Sequence, residues 1–327
     1  MTQKKRLCTA CNSRNTIKKG KAREVQTYLC IDCGKRFSGT RRKKITLIKH
    51  IWKDSVFGKQ TIRELSSSYD MNRRSIRILL DEYKNTVKIH SPRPVHIIVD
   101  GTYFGEQKED TDWCTIVARD PIRQEDLSWL FTETETTYAY VLIREELERL
   151  GYTILSVTGD GFSGIKTAFS GIPIQMCHVH MERGVIKGTT RKPLTEAGQV
   201  LLALVRTLHE DTVEEIFNRR LNIFITKYRG FLNERTTHSL TGDWSWTHEG
   251  VRQALNRIIL QKPYLFTYKQ NKNIPQTTNS LEGHFSHIKN IVGIHRGLSE
   301  DRKQKMLNTI LLASSIAPSK NKLDEIL

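Results

Sequence analysis

The hydrophobic period of the chain changes at residue 96, and the order of elements that follows narrows the possible folds more than any other feature. His96-Ile97-Ile98-Val99-Asp100 is a short β-rich run that ends on an acid. Trp113 to Arg119 is a second run, and Leu127 to Phe131 a third. Residues 136–150, TTYAYVLIREELERL, have helical spacing, with Thr136 or Thr137 as the cap. Tyr152 to Thr158 is a fourth strand, followed by Gly159-Asp160-Gly161. A short helix over 162–170 and a fifth strand from Ile172 to Cys177 complete the series. The order is β-β-β-α-β-α-β. Short connections make the first three strands a meander, and the helix after them permits a parallel return.

This order predicts an α/β fold with a ribonuclease H-like core. Residues 183–276 read as helical throughout, in segments such as AGQVLLALVRTLHE, TVEEIFNRRLNIFITKYRGFL and EGVRQALNRIIL. They are expected to form an all-α insertion. The stretch TTNSLEGHFSHIK then reads as a helix capped near Asn279 or Ser280. Upstream, HSPRPVH (90–96) carries two prolines in three residues, which disfavours helix and central strand and marks a boundary. The core domain is therefore expected over 95–327.

The part before that boundary has a different character. Residues 1–95 hold 24 Lys and Arg against 7 Asp and Glu, whereas the rest of the 327-residue chain is balanced, so the formal charge of +17 lies in the first third. A basic module on a neutral body points to nucleic acid, because phosphate neutralisation supplies affinity without sequence information. A membrane surface is the lesser alternative, as no amphipathic lipid-binding helix accompanies the charge. Four of the six cysteines form Cys8-x-x-Cys11 and Cys30-x-x-Cys33, a spacing suited to four thiolates around a structural Zn²⁺. Val25 to Leu29 alternates like a strand leading into the second pair. A zinc ribbon is expected over 1–40. Two disulfides of a secreted domain are the alternative, and the absence of an apolar signal segment speaks against them.

Residues 43–57 read as a helix, Thr61-Ile62-Arg63-Glu64-Leu65 starts a second, and Asn72 caps a third over about 72–83. Arg73, Arg74 and Arg77 lie on that third helix. This pattern predicts a helix-turn-helix DNA-binding domain over 41–90, against an ordinary three-helix bundle with a solvated basic face.

The chemistry is expected from three acids. Asp100 and Asp160 each end a strand next to glycine, and those strands are neighbours in a ribonuclease H-like sheet. Glu282 sits alone in a neutral-to-basic stretch, with no acid between Glu249 and Glu300. Three carboxylates at one point repel unless cations hold them, and hard oxygen ligands select Mg²⁺ or Mn²⁺. Two such ions suit in-line phosphoryl displacement. Each Asp-Gly taken singly also fits an ordinary turn.

The motifs VDGTYFG, VTGDGFSGI, MCHVHMERG and TTNSLEGHFSHIK resemble, in order and spacing, those of DDE transposases of bacterial insertion sequences of the Mutator-like type. The resemblance covers about 95–315 and implies Asp100, Asp160 and Glu282 as the acidic triad, with the helical insertion between the last two. Cys177 and His180 match the Cys-x-x-His signature of these families; a structural role beside the site, a DNA contact and metal binding all remain open for them. Lys289, about two helical turns after Glu282, is a candidate phosphate contact or an ordinary surface lysine. Trp244 and Trp246 could stack on a displaced base, though core packing for at least one is the simpler alternative. His284 and His287 have no assigned role.

The function expected from this reading is a DNA transposase. It would bind terminal inverted repeats, cut one strand and join the freed 3′-hydroxyl to target DNA. A non-catalytic zinc-ribbon and helix-turn-helix transcription regulator explains only the first 95 residues. A ribonuclease H-like nuclease without strand transfer is the third alternative. Pairing two transposon ends implies at least a homodimer on DNA. No apolar run approaches the ~20 residues of a membrane span, so a cytoplasmic, nucleoid-associated protein is expected.

Overall fold

A computed structural model describes residues 6–22, 25–38, 40–104, 113–210, 212–239, 241–295 and 297–315. They divide into two units. One holds the residues up to Thr86 together with Ile291–Asn308, and the other holds Val87–Asn290 and the residues from Thr309. The sequence places everything after 95 in one domain, so the return of 291–308 to the first unit is a difference. Its physical basis is side-chain pairing within that unit. Arg302 makes a two-pronged ion pair with Asp81, Lys305 donates to the Leu80 and Asp81 carbonyls, and His295 donates to the Ser55 carbonyl.

The first unit opens with an antiparallel sheet of β1 (Thr16–Ala22), β2 (Val25–Cys30) and β3 (Arg36–Ser38). Three helices follow: α1 (Thr40–Val56), α2 (Ile62–Ser68) and α3 (Arg73–Glu82). Local chemistry sets their starts. Thr61 and Glu64 form a reciprocal capping box at α2, and the Asn72 side chain accepts from the Ser75 N–H at α3. Ile51, Val56, Leu65 and Ile76 are fully buried. The sequence shows only β2 of the three strands, because β1 is polar along nearly its whole length and β3 has three residues.

The second unit is built on a five-stranded mixed sheet. Its strands are β4 (Pro94–Phe104), β5 (Trp113–Asp120), β6 (Glu125–Thr132), β7 (Thr153–Gly159) and β8 (Ile174–Met176), in spatial order β6-β5-β4-β7-β8. The first three pair antiparallel, and β4–β7 and β7–β8 pair parallel. Helices α4 (Thr137–Arg149, capped by the Thr136 side chain) and α5 (Ser163–Ala168) supply the crossovers. Their apolar residues bury one face of the sheet, packing Tyr140, Ile143, Leu147 and Ile165 on Val95, Ile97 and Val99. Successive side chains alternate between faces, so Asp100, Arg119 and Asp126 belong to the opposite face.

Two expectations need correction. Asp100 does not end its strand: β4 runs on to Phe104, because its antiparallel partner β5 continues to pair with it as far as Trp113. The parallel partner β7 stops at Gly159, so the gap that Asp100 faces opens on that side. The 90–96 segment also enters the central strand it was expected to avoid, since Pro94 to His96 open β4. Lys88 pairs with Glu125, and Arg93 with Asp120 and Glu125, each at 2.7 Å and largely out of solvent. Pro94 is the first residue of β4, a position where a strand tolerates proline.

After β8 the chain enters a second core of α6 (His178–Thr189), α7 (Glu196–Arg206), α8 (Glu214–Lys227), α9 (Arg229–Leu232) and α10 (Glu249–Gln261). This insertion is not all-α. A hairpin of β9 (Arg235–Thr237) and β10 (Trp244–Trp246) interrupts it, and strands of three residues leave no periodic signal. Helices α6 and α10 approach so closely that a Cβ on Gly188 would lie 2.3 Å from the Gly250 carbonyl oxygen, and the reverse holds for Gly250. The last helices are α11 (Asn279–Ile294) and α12 (Glu300–Ser314). The first α11 backbone bonds run from the Leu281 and Glu282 N–H to the Thr278 carbonyl, one residue before the expected cap.

Candidate functional site

Strand register brings two of the predicted acids level. Ile98 pairs with Thr158 in the parallel β4–β7 ladder, so Asp160, two residues further along, stands beside Asp100. The Asp160 carboxylate accepts the Phe162 N–H in the turn that follows, where Gly161 adopts a φ of +89°. Any side chain at Gly161 would also meet the Met176 sulfur at 2.5 Å. Glycine is thus required twice over for the chain to leave β7 here.

Glu282 arrives from the first turn of α11. Ligand-capable atoms of Asp100, His180 and Glu282 all lie within 4.8 Å of one another. The third member of that cluster is therefore His180, while Asp160 stands alongside it. Burial pushes the Asp100 carboxyl up to about 7, and the charges of Asp160 and Glu282 add to this; His180 and the Gly101 N–H oppose it.

A buried polar network holds α11 on the sheet. Asp126 on β6 is fully buried, is gripped by Arg119 from β5, and lies 2.9 Å from His284 Nε2. Arg119 also donates to the Ser280 hydroxyl at 3.4 Å. This gives His284 a place: its ring faces the Asp126 carboxylate across the sheet, two residues beyond Glu282 on the same helix. His287 is exposed.

MCHVHMERG wraps the start of α6, and its three-residue spacing lines Cys177, His180 and Arg183 along one helix face. Cys177 is buried at the helix start, and its sulfur accepts from the Thr278 N–H and hydroxyl at 3.3 and 3.5 Å. Burial raises the Cys177 pKa, but hydrogen bonds from His180 and Thr278 outweigh it and hold the thiol below its ordinary value. Burial favours a neutral His180; contact with Cys177 and the charges of Asp100 and Glu282 reverse this and raise it. His180 Nδ1 lies 3.3 Å from the Thr278 hydroxyl, and Nε2 lies 3.5 Å from Glu282. Thr278 thus ties the Cys-x-x-His turn to the start of α11. His178, between them, is a core residue bonded to the Leu265 carbonyl.

Two further residues at the site carry no expectation from the sequence. The Arg183 guanidinium takes both Glu282 oxygens, at 2.8 and 2.7 Å. Glu135 packs beside Gly101 on the other face, where a Cβ at Gly101 would lie 3.3 Å from its carboxyl. Burial raises the Glu135 pKa; the hydrogen bond from Tyr140 lowers it and the Asp160 charge raises it.

The donor set can be tested against divalent cations. Carboxylate oxygens from Asp100, Asp160 and Glu282 are the hard ligands that Mg²⁺ or Mn²⁺ takes. The Arg183 guanidinium pairs with the Glu282 carboxylate in this structure. The chemistry of the residues fits.

Lys289 is exposed, with its ammonium 5.8 Å from the centre of the Phe104 ring. Trp244 and Trp246 belong to the hairpin rather than to the buried core, and Arg235 and Arg252 stack on them. Arg73, Arg74 and Arg77 are all exposed along α3. Arg73 and Arg77 join Arg63 around a cleft of about 270 Å³.

In the first unit, Cys8, Cys11, Cys30 and Cys33 converge with all sulfurs within 4.8 Å and none bonded to another. The Cys8–Cys33 and Cys11–Cys30 separations are 3.6 and 3.5 Å. Tetrahedral Zn–S bonds of about 2.3 Å place sulfurs about 3.8 Å apart, so the cluster fits a Zn²⁺. Backbone N–H groups of Cys11 and Ala10 hold the Cys8 thiol down at about 6.

No described helix is long and apolar enough to cross a membrane. No curated protein matches the chain. Among solved structures, the Drosophila P element transposase strand transfer complex is similar, with 8% identity and a TM-score of 0.41, over 81% of this chain and 91% of that one. The model of the Transposase IS66 family matches residues 75–291, which takes in Asp100, Asp160, the Cys-x-x-His turn and Glu282. The chain belongs to the IS66 transposase family.

Proposed function

We propose that the protein is a DDE transposase whose acidic triad is Asp100, Asp160 and Glu282. The observation that carries this reading is convergence. Asp100 on β4 stands level with Asp160, just past the end of the parallel strand β7, and a helix more than a hundred residues further on brings Glu282 within 4.8 Å of Asp100. The strand order β6-β5-β4-β7-β8, with β5 antiparallel to β4, supports a ribonuclease H-like core with an inserted helical block. Motif order supports the Mutator-like type that the sequence resembles.

Two Mg²⁺ or Mn²⁺ ions held by the triad would supply the charge stabilisation that an in-line phosphoryl displacement needs. The chain's own residues do the rest. Asp100, buried beside two other acids, would bind a cation as the carboxylate. Arg119 and Asp126 meet α11 on either side of Glu282, at the Ser280 hydroxyl and the His284 ring. Thr278 and Cys177 orient His180 against Glu282. Lys289 would add a cation on the DNA-facing side.

The first unit supplies recognition of the transposon ends. The four cysteines would hold a structural Zn²⁺ in a ribbon. Helices α1 to α3 would act as a helix-turn-helix with Arg73, Arg74 and Arg77 turned to duplex DNA. Joining two ends to a target requires at least two copies on DNA. The test is cleavage of a labelled terminal-repeat duplex by purified protein with Mg²⁺. Wild type should cut, and Asp160→Asn should lose at least about a thousandfold in rate, on the order of 4 kcal/mol. Equal cutting by Asp160→Ala would sink the triad.

A further inference from the structure

We propose that Arg183 is an exchangeable counter-charge: it neutralises Glu282 in the empty site and turns to a DNA phosphate once the site is loaded. This rests on the triad reading above. The geometry has three parts. First, the guanidinium engages Glu282 through two parallel bonds of 2.8 and 2.7 Å, so the acid's charge is compensated from within the chain. Secondly, the two partners differ in exposure. The Glu282 side chain is 23% exposed and sits among Asp100 and His180, whereas the Arg183 side chain is 55% exposed. The guanidinium therefore reaches Glu282 from the solvent side and can leave without opening the core. Thirdly, α6 fixes where it can go. Cys177 and His180, on the same helix face, are held by Thr278. Arg183 is the outermost of the three and has no second carboxylate partner among the described residues.

A divalent cation and a guanidinium compete for the same carboxylate charge. Loading the site removes the reason for the pair, and a planar fork then lies within side-chain reach of the acids. A phosphate diester approaching those acids offers the same bidentate geometry that Glu282 offered. The residue would thus protect an unfilled acidic site from its own repulsion and later hold the substrate backbone beside it.

The experiment measures Mn²⁺ binding to the full-length protein without DNA, by calorimetry, for wild type, Arg183→Gln, Arg183→Lys and Glu282→Gln. Removing the competitor should tighten Mn²⁺ binding by about three- to tenfold in Arg183→Gln. Arg183→Lys, which keeps the charge but loses the fork, should fall between. Binding of a terminal-repeat duplex with the site loaded by Ca²⁺ should weaken in Arg183→Gln, and the slope of log affinity against log salt should flatten by about one phosphate contact. Weaker Mn²⁺ binding in Arg183→Gln would make the arginine a structural prop and overturn the proposal, as would unchanged Mn²⁺ affinity. If wild type and Glu282→Gln bind Mn²⁺ alike, the triad reading itself fails. Thermal melts of each variant separate these outcomes from misfolding.

Discussion

Replacing Asp126 with alanine should destabilise the second unit by about 3–5 kcal/mol, the usual cost of stranding a buried charge whose partner has been removed. The size follows from the surroundings. Asp126 is fully buried, and the side chains of Arg119 and His284 are only 8% and 11% exposed. Among the described residues, Arg119 would be left with the Ser280 hydroxyl as its side-chain partner, at 3.4 Å. Asp126→Asn keeps an acceptor but loses the charge, so a cost of about 1.5–3 kcal/mol is expected. The informative comparison is the joint replacement Arg119→Met, Asp126→Leu and His284→Phe. With no charge left to strand, it should lie near wild type or above it. Guanidinium unfolding followed by tryptophan fluorescence measures all three, since Trp113 and Trp129 lie on the same strands. The midpoint should move at constant slope. A loss under about 1 kcal/mol for Asp126→Ala would refute the claim that this network clamps α11 to the sheet. So would a joint variant as unstable as the single one.

Other perturbations have equally definite outcomes. Chelation, or Cys30→Ser, should release one Zn²⁺ per chain to a colorimetric indicator and abolish binding of the terminal repeat, while near-ultraviolet signals from the second unit persist. Gly188→Ala should cost about 1–3 kcal/mol in thermal denaturation, because the added methyl meets the Gly250 carbonyl oxygen, which cannot swing aside. His295 is buried and donates to the Ser55 carbonyl, and burial holds its pKa below 6.5 despite the nearby Glu64. The unfolded chain therefore takes up a proton that the folded one refuses. The contribution of His295 is intact above its unfolded pKa and is lost as pH falls through it, so His295→Gln should flatten the decline in Tm between about pH 7.5 and 5.5.

What was legible in the sequence is what local chemistry decides. Thr61, Asn72 and Thr136 cap their helices through bonds to N–H groups three residues on, and each can be read in a window of four residues. The strand order was legible because each run is apolar and is bounded by turns. Asp100 and Asp160 stood out as Asp-Gly pairs after β-rich runs, and Glu282 as a lone acid in a neutral-to-basic stretch. Their partners did not stand out. Arg183 reaches Glu282 across 99 positions, and Thr278 reaches Cys177 across 101. No periodicity records such pairs. His284 illustrates the limit: on the helix it is one more polar residue, and only the sheet beneath it supplies Asp126. The Arg183 face had a faint signal in the three-residue spacing of Cys177, His180 and Arg183. The β9–β10 hairpin had none.

The glycine contact between α6 and α10 bears on how this enzyme can be rebuilt. Helix α6 carries His180 and Arg183 near its start and Gly188 near its end, where the backbone of α10 rests on it. The inserted block is therefore not a detachable cassette joined at 183. Its first helix is also a wall of the acidic site, and the two share one rigid rod. A chimera that exchanges the block between relatives would have to carry α6 and α10 together, from His178 onward. A graft made in the middle of α6 would change the angle of that rod, and the orientation of His180 and Arg183 would follow.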